Sequence, residues 1–232
     1  MSKKMINIMG SNGNNISCIC VNSTKKNAPA IIIISENLVI NNWISETTDK
    51  FAEQGYVVIA PDLFRHVGSG FIMNPANKVH TEKNLNLKQT TNYEAAIDDL
   101  ASTITAAKAL PNCNGKIGVV GFSYGATLAY LSAARLHVDA VVAYYGTEIS
   151  KYLNEGKNIT CPLLLHMSEN DNTLETYDLN KIQAALIGKE NVSIYTYTAG
   201  HGFANSYDPT FYLSDVASLA HKRTFKIFDT LK

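Results

Sequence analysis

The residues best placed to do chemistry lie in Gly121-Phe122-Ser123-Tyr124-Gly125, a G-x-S-x-G pattern. It follows the apolar run Lys116–Val120 and precedes the alanine-rich segment 126–134. Between a strand and a helix this pattern is a nucleophile elbow, a strained turn that exposes the serine Oγ. Its glycines have a steric reason, because side chains there would hold strand and helix apart. The start of the helix adds N–H donors and positive potential where an oxyanion would form. The chemistry implied is acyl transfer through a serine ester.

A serine hydroxyl needs a base, and after such an elbow the acid comes next in the chain and the histidine last. His137, His166, His201 and His221 all lie beyond Ser123. His137 closes the helix after the elbow, His166 sits inside the apolar run Leu163–Met167, and His221 lies mid-helix between core positions. His201 stands in Ala199-Gly200-His201-Gly202, directly after the strand-like run Val192–Tyr197, with glycines to help aim its ring. It is the base by elimination and by setting. Ser168-Glu169-Asn170-Asp171 follows the earlier strand, so Asp171 is the preferred acid and Glu169 the substitute. Asp171 capping a helix that begins near Thr173 is the competing reading.

These residues need a frame that brings strand ends together. The runs Met5–Met9 and Ile16–Val21 flank Ser11-Asn12-Gly13-Asn14, a hairpin signal because Asn and Gly accept positive φ. After Pro29, the β-branched runs Ala30–Ile34, Tyr56–Ala60, Lys116–Val120, Ala140–Tyr144, Leu163–His166 and Val192–Tyr197 read as strands covered on both faces. Helical periods separate them. Trp43, Thr47 and Phe51 recur at i+4 with Gly55 as a terminal cap, and Thr91-x-x-Glu94 resembles a capping box before Tyr93, Ile97, Leu100 and Ile104. Residues 126–136 and 175–187 form weaker helices. Ser214 opens a closing helix with Val216, Ala220, Ile227 and Leu231 on one side. The expected fold is α/β: one domain over residues 1–232, with a mostly parallel, doubly wound sheet and an N-terminal antiparallel hairpin. Residues 63–90 are the irregular segment, polar and rich in Asn and Lys.

Composition narrows the functional classes. Of 232 residues, 46% are hydrophobic and 17% charged, which suits a globular interior. Lysine plus arginine balances aspartate plus glutamate at 20 each, so no basic excess points to nucleic acid or to a membrane surface. Apolar stretches such as Ala30–Ile34 are far shorter than the roughly 20 residues of a membrane span. Met1 to Asn15 has no run suited to a signal peptide, and the cysteines (Cys18, Cys20, Cys113, Cys161) include no C-x-x-C pair. Cys18 and Cys20 read as small core residues on one face of a strand. A reducing cytoplasm is the expected location.

The chain resembles the dienelactone hydrolase family of the α/β-hydrolase superfamily over nearly its whole length. The resemblance is carried by Ile33-Ile34-Ser35-Glu36, Gly55-Tyr56-x-Val58-x-Ala60-Pro61-Asp62-Leu63, Gly115 to Gly125, Ala143-Tyr144-Tyr145-Gly146, Ala199-Gly200-His201-Gly202-Phe203 and Arg223-Thr224-x-x-x-Phe228. It implies Asp171 as the acid, Glu36 as a carboxylate near the nucleophile, and an oxyanion hole from the N–H groups of Asn37 and Tyr124. Tyr145 and Phe203 would support the site or bind substrate. Two positions depart from the family pattern. Ser123 stands where its characterised members use cysteine. Asn205 stands where the family has an arginine that grips a substrate carboxylate, and an amide cannot supply a forked cation. Arg65, Lys78 and Lys83 are the candidate replacements.

The sequence therefore predicts an ester or lactone hydrolase with a Ser123 acyl-enzyme, a small-molecule substrate, and no metal or organic cofactor. A thioesterase or acyltransferase on the same three residues is the alternative within the class. A non-catalytic binding domain is the alternative outside it. The oligomeric state is not encoded in any motif.

Overall fold

The computed structural model describes residues 2–36, 40–63, 92–173 and 176–232. Asn37, Arg65, Lys78 and Lys83 fall outside them, as does nearly all of the segment 63–90.

The hairpin forms as expected. Strands β1 (Lys3–Met9) and β2 (Asn15–Val21) pair antiparallel across a turn in which Gly13 has φ +78° and the Gly10 N–H donates to the Asn14 carbonyl at 2.7 Å. The remaining strands are β3 (Ala28–Ile34), β4 (Val57–Pro61), β5 (Cys113–Phe122), β6 (Ala140–Tyr144), β7 (Leu163–Asn170) and β8 (Val192–Gly200). Among the described residues they form one eight-stranded sheet in the order β1-β2-β4-β3-β5-β6-β7-β8. From β4 to β8 every neighbouring pair is parallel, and only the hairpin's β2 meets β4 antiparallel.

Helices cover both faces of the central strands, which is why β3, β4 and β6 are buried along their whole length. The expectation that Val192–Tyr197 is covered on both faces needs correction, because β8 is an edge strand whose burial alternates and leaves Tyr195 exposed. Helices α2 (Tyr93–Lys108) and α3 (Tyr124–Arg135) pack on the face that carries Ile32, Ile34, Val119, Val141 and Leu165. Helix α4 (Thr176–Leu186) adds Ile182 and Leu186 on that side. The opposite face, with Ile31, Ile33, Val120, Phe122 and Tyr144, is covered by α1 (Asn42–Glu53) and α5 (Ser214–Phe228). Each large side chain buried this way is worth about 1.5–3 kcal/mol. Cys18 and Cys20 are both fully buried in the core.

Local signals set most boundaries. Asn41 caps α1 by accepting from the Ile44 N–H at 2.8 Å, and Gly55, at φ +93°, takes the left-handed position just past its end. Two further expectations need correction. The cap of α2 is Asn92, which accepts from the Ala95 N–H, rather than a box built on Thr91. Of the predicted line Val216, Ala220, Ile227 and Leu231, Ala220 and Leu231 are buried while Val216 and Ile227 are only partly buried. The fully inward stripe of α5 is Ala217, Ala220, Thr224 and Phe228. Thr224 faces inward because buried polar groups need it: its Oγ1 lies 2.6 Å from the Tyr144 hydroxyl and 3.1 Å from His166 Nε2. A 3-10 stretch, Ile149–Asn158, kinked at Tyr152, was not legible in the sequence.

Candidate active site

Strand β5 ends at Phe122, which is held by Trp43 (ring centroids 4.7 Å apart) and Tyr144 (4.8 Å). The next residue, Ser123, has φ 53° and ψ −113°, and α3 begins immediately at Tyr124. A non-glycine residue rarely takes such a conformation, and it persists only where the surroundings enforce it. Here the Ser123 N–H donates to the Tyr144 carbonyl at 2.9 Å, and the Ser123 carbonyl accepts from the Ala126 N–H at 3.0 Å. The flanking glycines are required sterically. A Cβ on Gly125 would stand 2.5 Å from the Ile34 carbonyl oxygen.

The other groups arrive from the same edge of the sheet, at the carboxyl ends of parallel strands. Glu36 follows β3, Tyr145 follows β6, Asp171 follows β7 and His201 follows β8. The β7–β8 register decides which acid meets His201. It shifts between Ser168 and Asn170 and pairs Asn170 with Gly200, so that Asp171 and His201 leave the sheet side by side. Glu169 lies in the shifted stretch, and its carboxylate instead accepts from the Thr198 hydroxyl at 2.7 Å.

The resulting geometry is a continuous relay. Ser123 Oγ lies 2.9 Å from His201 Nε2, and His201 Nδ1 lies 2.8 Å from Asp171 Oδ2. Burial alone would raise the Asp171 carboxyl. Hydrogen bonds from His201 and Thr173, with the charge on His201, outweigh it and hold the group below its ordinary range. The alternative capping reading of Asp171 has a partial counterpart, since its Oδ1 accepts from the Thr173 N–H at 2.8 Å, although α4 begins only at Thr176.

Behind the histidine, Tyr145 and Phe203 are both fully buried. The Tyr145 ring meets His201 edge-on at 5.0 Å and Phe203 at 5.3 Å. They therefore back the His201 ring and do not line the cleft. Burial pushes the Tyr145 phenol well up, and the Glu36 carboxylate adds to it, so this hydroxyl stays neutral. Glu36 accepts a hydrogen bond from the Asn205 amide, and the two line the cleft together with Ser123.

That cleft encloses about 570 Å³, a size suited to a small molecule. Its lining includes residues that sequence reasoning missed: Glu148, Lys151, Asp178, Asp208 and Phe211. They come from the 3-10 stretch and the residue that precedes it, from α4 and from the loop after His201, and no motif marks them. Thr173 was also missed, although Asp171-Asn172-Thr173 is the kind of short polar run that forms a side-chain-bonded turn. The N–H of Tyr124 belongs to the first turn of α3 at the cleft, where the helix end carries positive potential.

Residues 16–232 match the model of the dienelactone hydrolase family. The chain belongs to that family. A carboxymethylenebutenolidase of Pseudomonas putida is 31% identical over 219 residues, covering 94% of this chain and 92% of its own. Carboxymethylenebutenolidase 1 of Cupriavidus pinatubonensis is 31% identical over 210 residues, covering 90% and 89%. Among solved structures, a Klebsiella pneumoniae protein assigned to the dienelactone hydrolases superposes with a TM-score of 0.85 at 19% identity, over 99% of both chains. A dienelactone hydrolase-like promiscuous phosphotriesterase from metagenomic libraries gives 0.79 at 14% identity, over 100% and 99%. As a dienelactone hydrolase-type protein, the chain shares the family's α/β-hydrolase architecture from the β1–β2 hairpin to α5. Among the described residues, no helix is long and apolar enough to cross a membrane.

Proposed function

We propose that this member of the family cleaves a small carboxylic ester or lactone through an acyl-enzyme on Ser123. The observation that carries the reading is the Ser123–His201–Asp171 relay, with the serine on a strained turn at the floor of a cleft. His201 Nε2 takes the Ser123 proton as Oγ attacks the acyl carbon, and Asp171 stabilises the imidazolium that forms. The Tyr124 N–H stabilises the tetrahedral oxyanion, with Asn37 proposed as the second donor. His201 then protonates the leaving alkoxide. Water, deprotonated by His201, attacks the acyl-enzyme and releases the acid.

The relatives' name denotes a butenolide lactone carrying a carboxymethylene group. For this chain a neutral ester or lactone fits better. The charged groups that line the described cleft are Glu36, Glu148, Asp178 and Asp208, with His201 and with Lys151, which is ion-paired to Glu148. A buried substrate carboxylate without a cation is costly. Glu36 has no thiolate to generate here, because a hydroxyl is too weak an acid, so it holds Asn205 and shapes the acyl pocket. The four cysteines are free thiols, which supports a reducing, cytoplasmic setting.

The test is a panel of p-nitrophenyl esters and lactones combined with fluorophosphonate labelling. Turnover with the label on Ser123, located by mass spectrometry, is expected. An active enzyme labelled on another serine, or left unlabelled, would overturn the reading.

A further inference from the structure

We infer that Thr173 is a positioning residue of this site: its side chain holds the Asp171 carboxylate against His201 and takes a share of the Nδ1 proton. The inference rests on the proposed Ser123–His201–Asp171 chemistry.

Thr173 lies on the exposed loop after β7, short of α4. Its backbone N–H reaches Asp171 Oδ1 at 2.8 Å, and its hydroxyl donates to the same oxygen at 2.6 Å. Both bonds load one carboxylate oxygen, which leaves Oδ2 to accept from His201 Nδ1 at 2.8 Å. A carboxylate with one partner can turn about its own axis. One gripped at both oxygens cannot, and the side chain of Asp171 is only 3% exposed, so water does little to compete.

A local turn at a strand end accounts for the two contacts with Asp171. It does not account for a third: Thr173 Oγ1 also stands 3.0 Å from His201 Nδ1. With its own proton committed to Asp171, the hydroxyl oxygen can only accept there. The Nδ1–H is thus shared between Asp171 Oδ2 and Thr173 Oγ1. The imidazolium formed during the reaction meets two acceptors, and the ring is pinned with Nε2 toward Ser123. Thr173 also lines the cleft, but its hydrogen bonds run to Asp171 and His201, so its loss falls on the chemical step more than on substrate binding.

Thr173→Val keeps the shape and removes the hydroxyl, and Thr173→Ser restores it. The valine variant is expected to lose kcat by about tenfold on an activated ester with KM within about twofold, the order of one lost charge-assisted hydrogen bond. The serine variant should return most of that loss. Proton NMR of the His201 Nδ1–H supplies a readout that does not depend on turnover. Its resonance should move in the valine variant, where Asp171 is the remaining acceptor, and return in the serine variant. A valine variant with wild-type kcat and an unmoved resonance overturns the inference. So does a serine variant as impaired as the valine one. A wild-type protein that turns over no acyl substrate counts against the acyl-enzyme reading, and the NMR comparison still decides the role of Thr173.

Discussion

A side-chain carbon on Gly121 would stand 1.9 Å from the carbonyl oxygen of Gly125, closer than any contact backbone can absorb in place. The strand before Ser123 and the helix after it touch because neither residue has a side chain. Gly121→Ala should therefore open the elbow. Overpacking against rigid backbone costs about 1–3 kcal/mol, and a displaced nucleophile loses roughly 10²-fold in kcat. Thermal denaturation and kcat, measured together, check this. A variant of unchanged stability and activity would show that the turn tolerates a wider gap.

Ser123, His201 and Asp171 are joined by two hydrogen bonds, so their removal should not be additive. Ser123→Ala is expected to cut kcat by at least roughly 10⁴, and adding His201→Ala and Asp171→Ala should cost little more. The comparison needs the single, double and triple variants on one ester. Penalties that multiply would mean that at least one residue acts elsewhere.

Two histidines on the α5 side of the sheet, the fully buried His166 and the partly buried His221, predict acid sensitivity unrelated to catalysis. His166 is fully buried between the Tyr197 hydroxyl (2.8 Å) and Thr224, and burial holds it well below its ordinary range. His221, packed near the Tyr144 and Phe225 rings, is lowered to about 4, mainly by burial and further by Lys50. The folded chain keeps both neutral, while the unfolded chain protonates them below about pH 6.5. Stability is then complete above that pH and falls as pH drops toward 4, by up to about 1.4 kcal/mol per pH unit for each histidine. Asp171, whose carboxyl is lowered, acts in the same direction but only below its ordinary value of 3.8. Urea midpoints at pH 7, 6 and 5 test the histidines, and His221→Phe should flatten the decline. A midpoint constant from pH 7 to 5 would contradict it.

Asn205 and Glu36 set the expectation for selectivity. The amide that would face a substrate carboxylate is already donated to Glu36, so among the described residues an anion would meet a carboxylate there and no forked cation. A matched substrate pair, free acid against methyl ester, should show the ester favoured in kcat/KM. Asn205→Arg should shift the ratio toward the acid by roughly 10–150-fold, corresponding to about 1.5–3 kcal/mol. Because Glu36 would pair with the new arginine, Glu36→Gln with Asn205→Arg should shift it further. A wild-type enzyme that prefers the free acid tenfold or more would refute the argument.

What the sequence determined by itself were the features encoded within one element or its two ends. The G-x-S-x-G turn, the Asn-Gly hairpin, the Gly55 stop of α1 and the apolar strands all depend on backbone permissions and burial that neighbouring residues specify. The tertiary structure alone decided what depends on register between distant strands. A one-place shift in the β7–β8 pairing gives Asp171 to His201 and sends Glu169 to Thr198. Asp171 could also have served only as a turn residue, and its Thr173 contacts show that it holds the turn and His201 at once. The same holds for α5, where a strict apolar stripe gave way to Thr224 because His166 and Tyr144 needed a buried partner. Periodicity reports which residues avoid water, whereas hydrogen bonding between buried polar groups is satisfied only by partners that the folded sheet brings within about 3 Å.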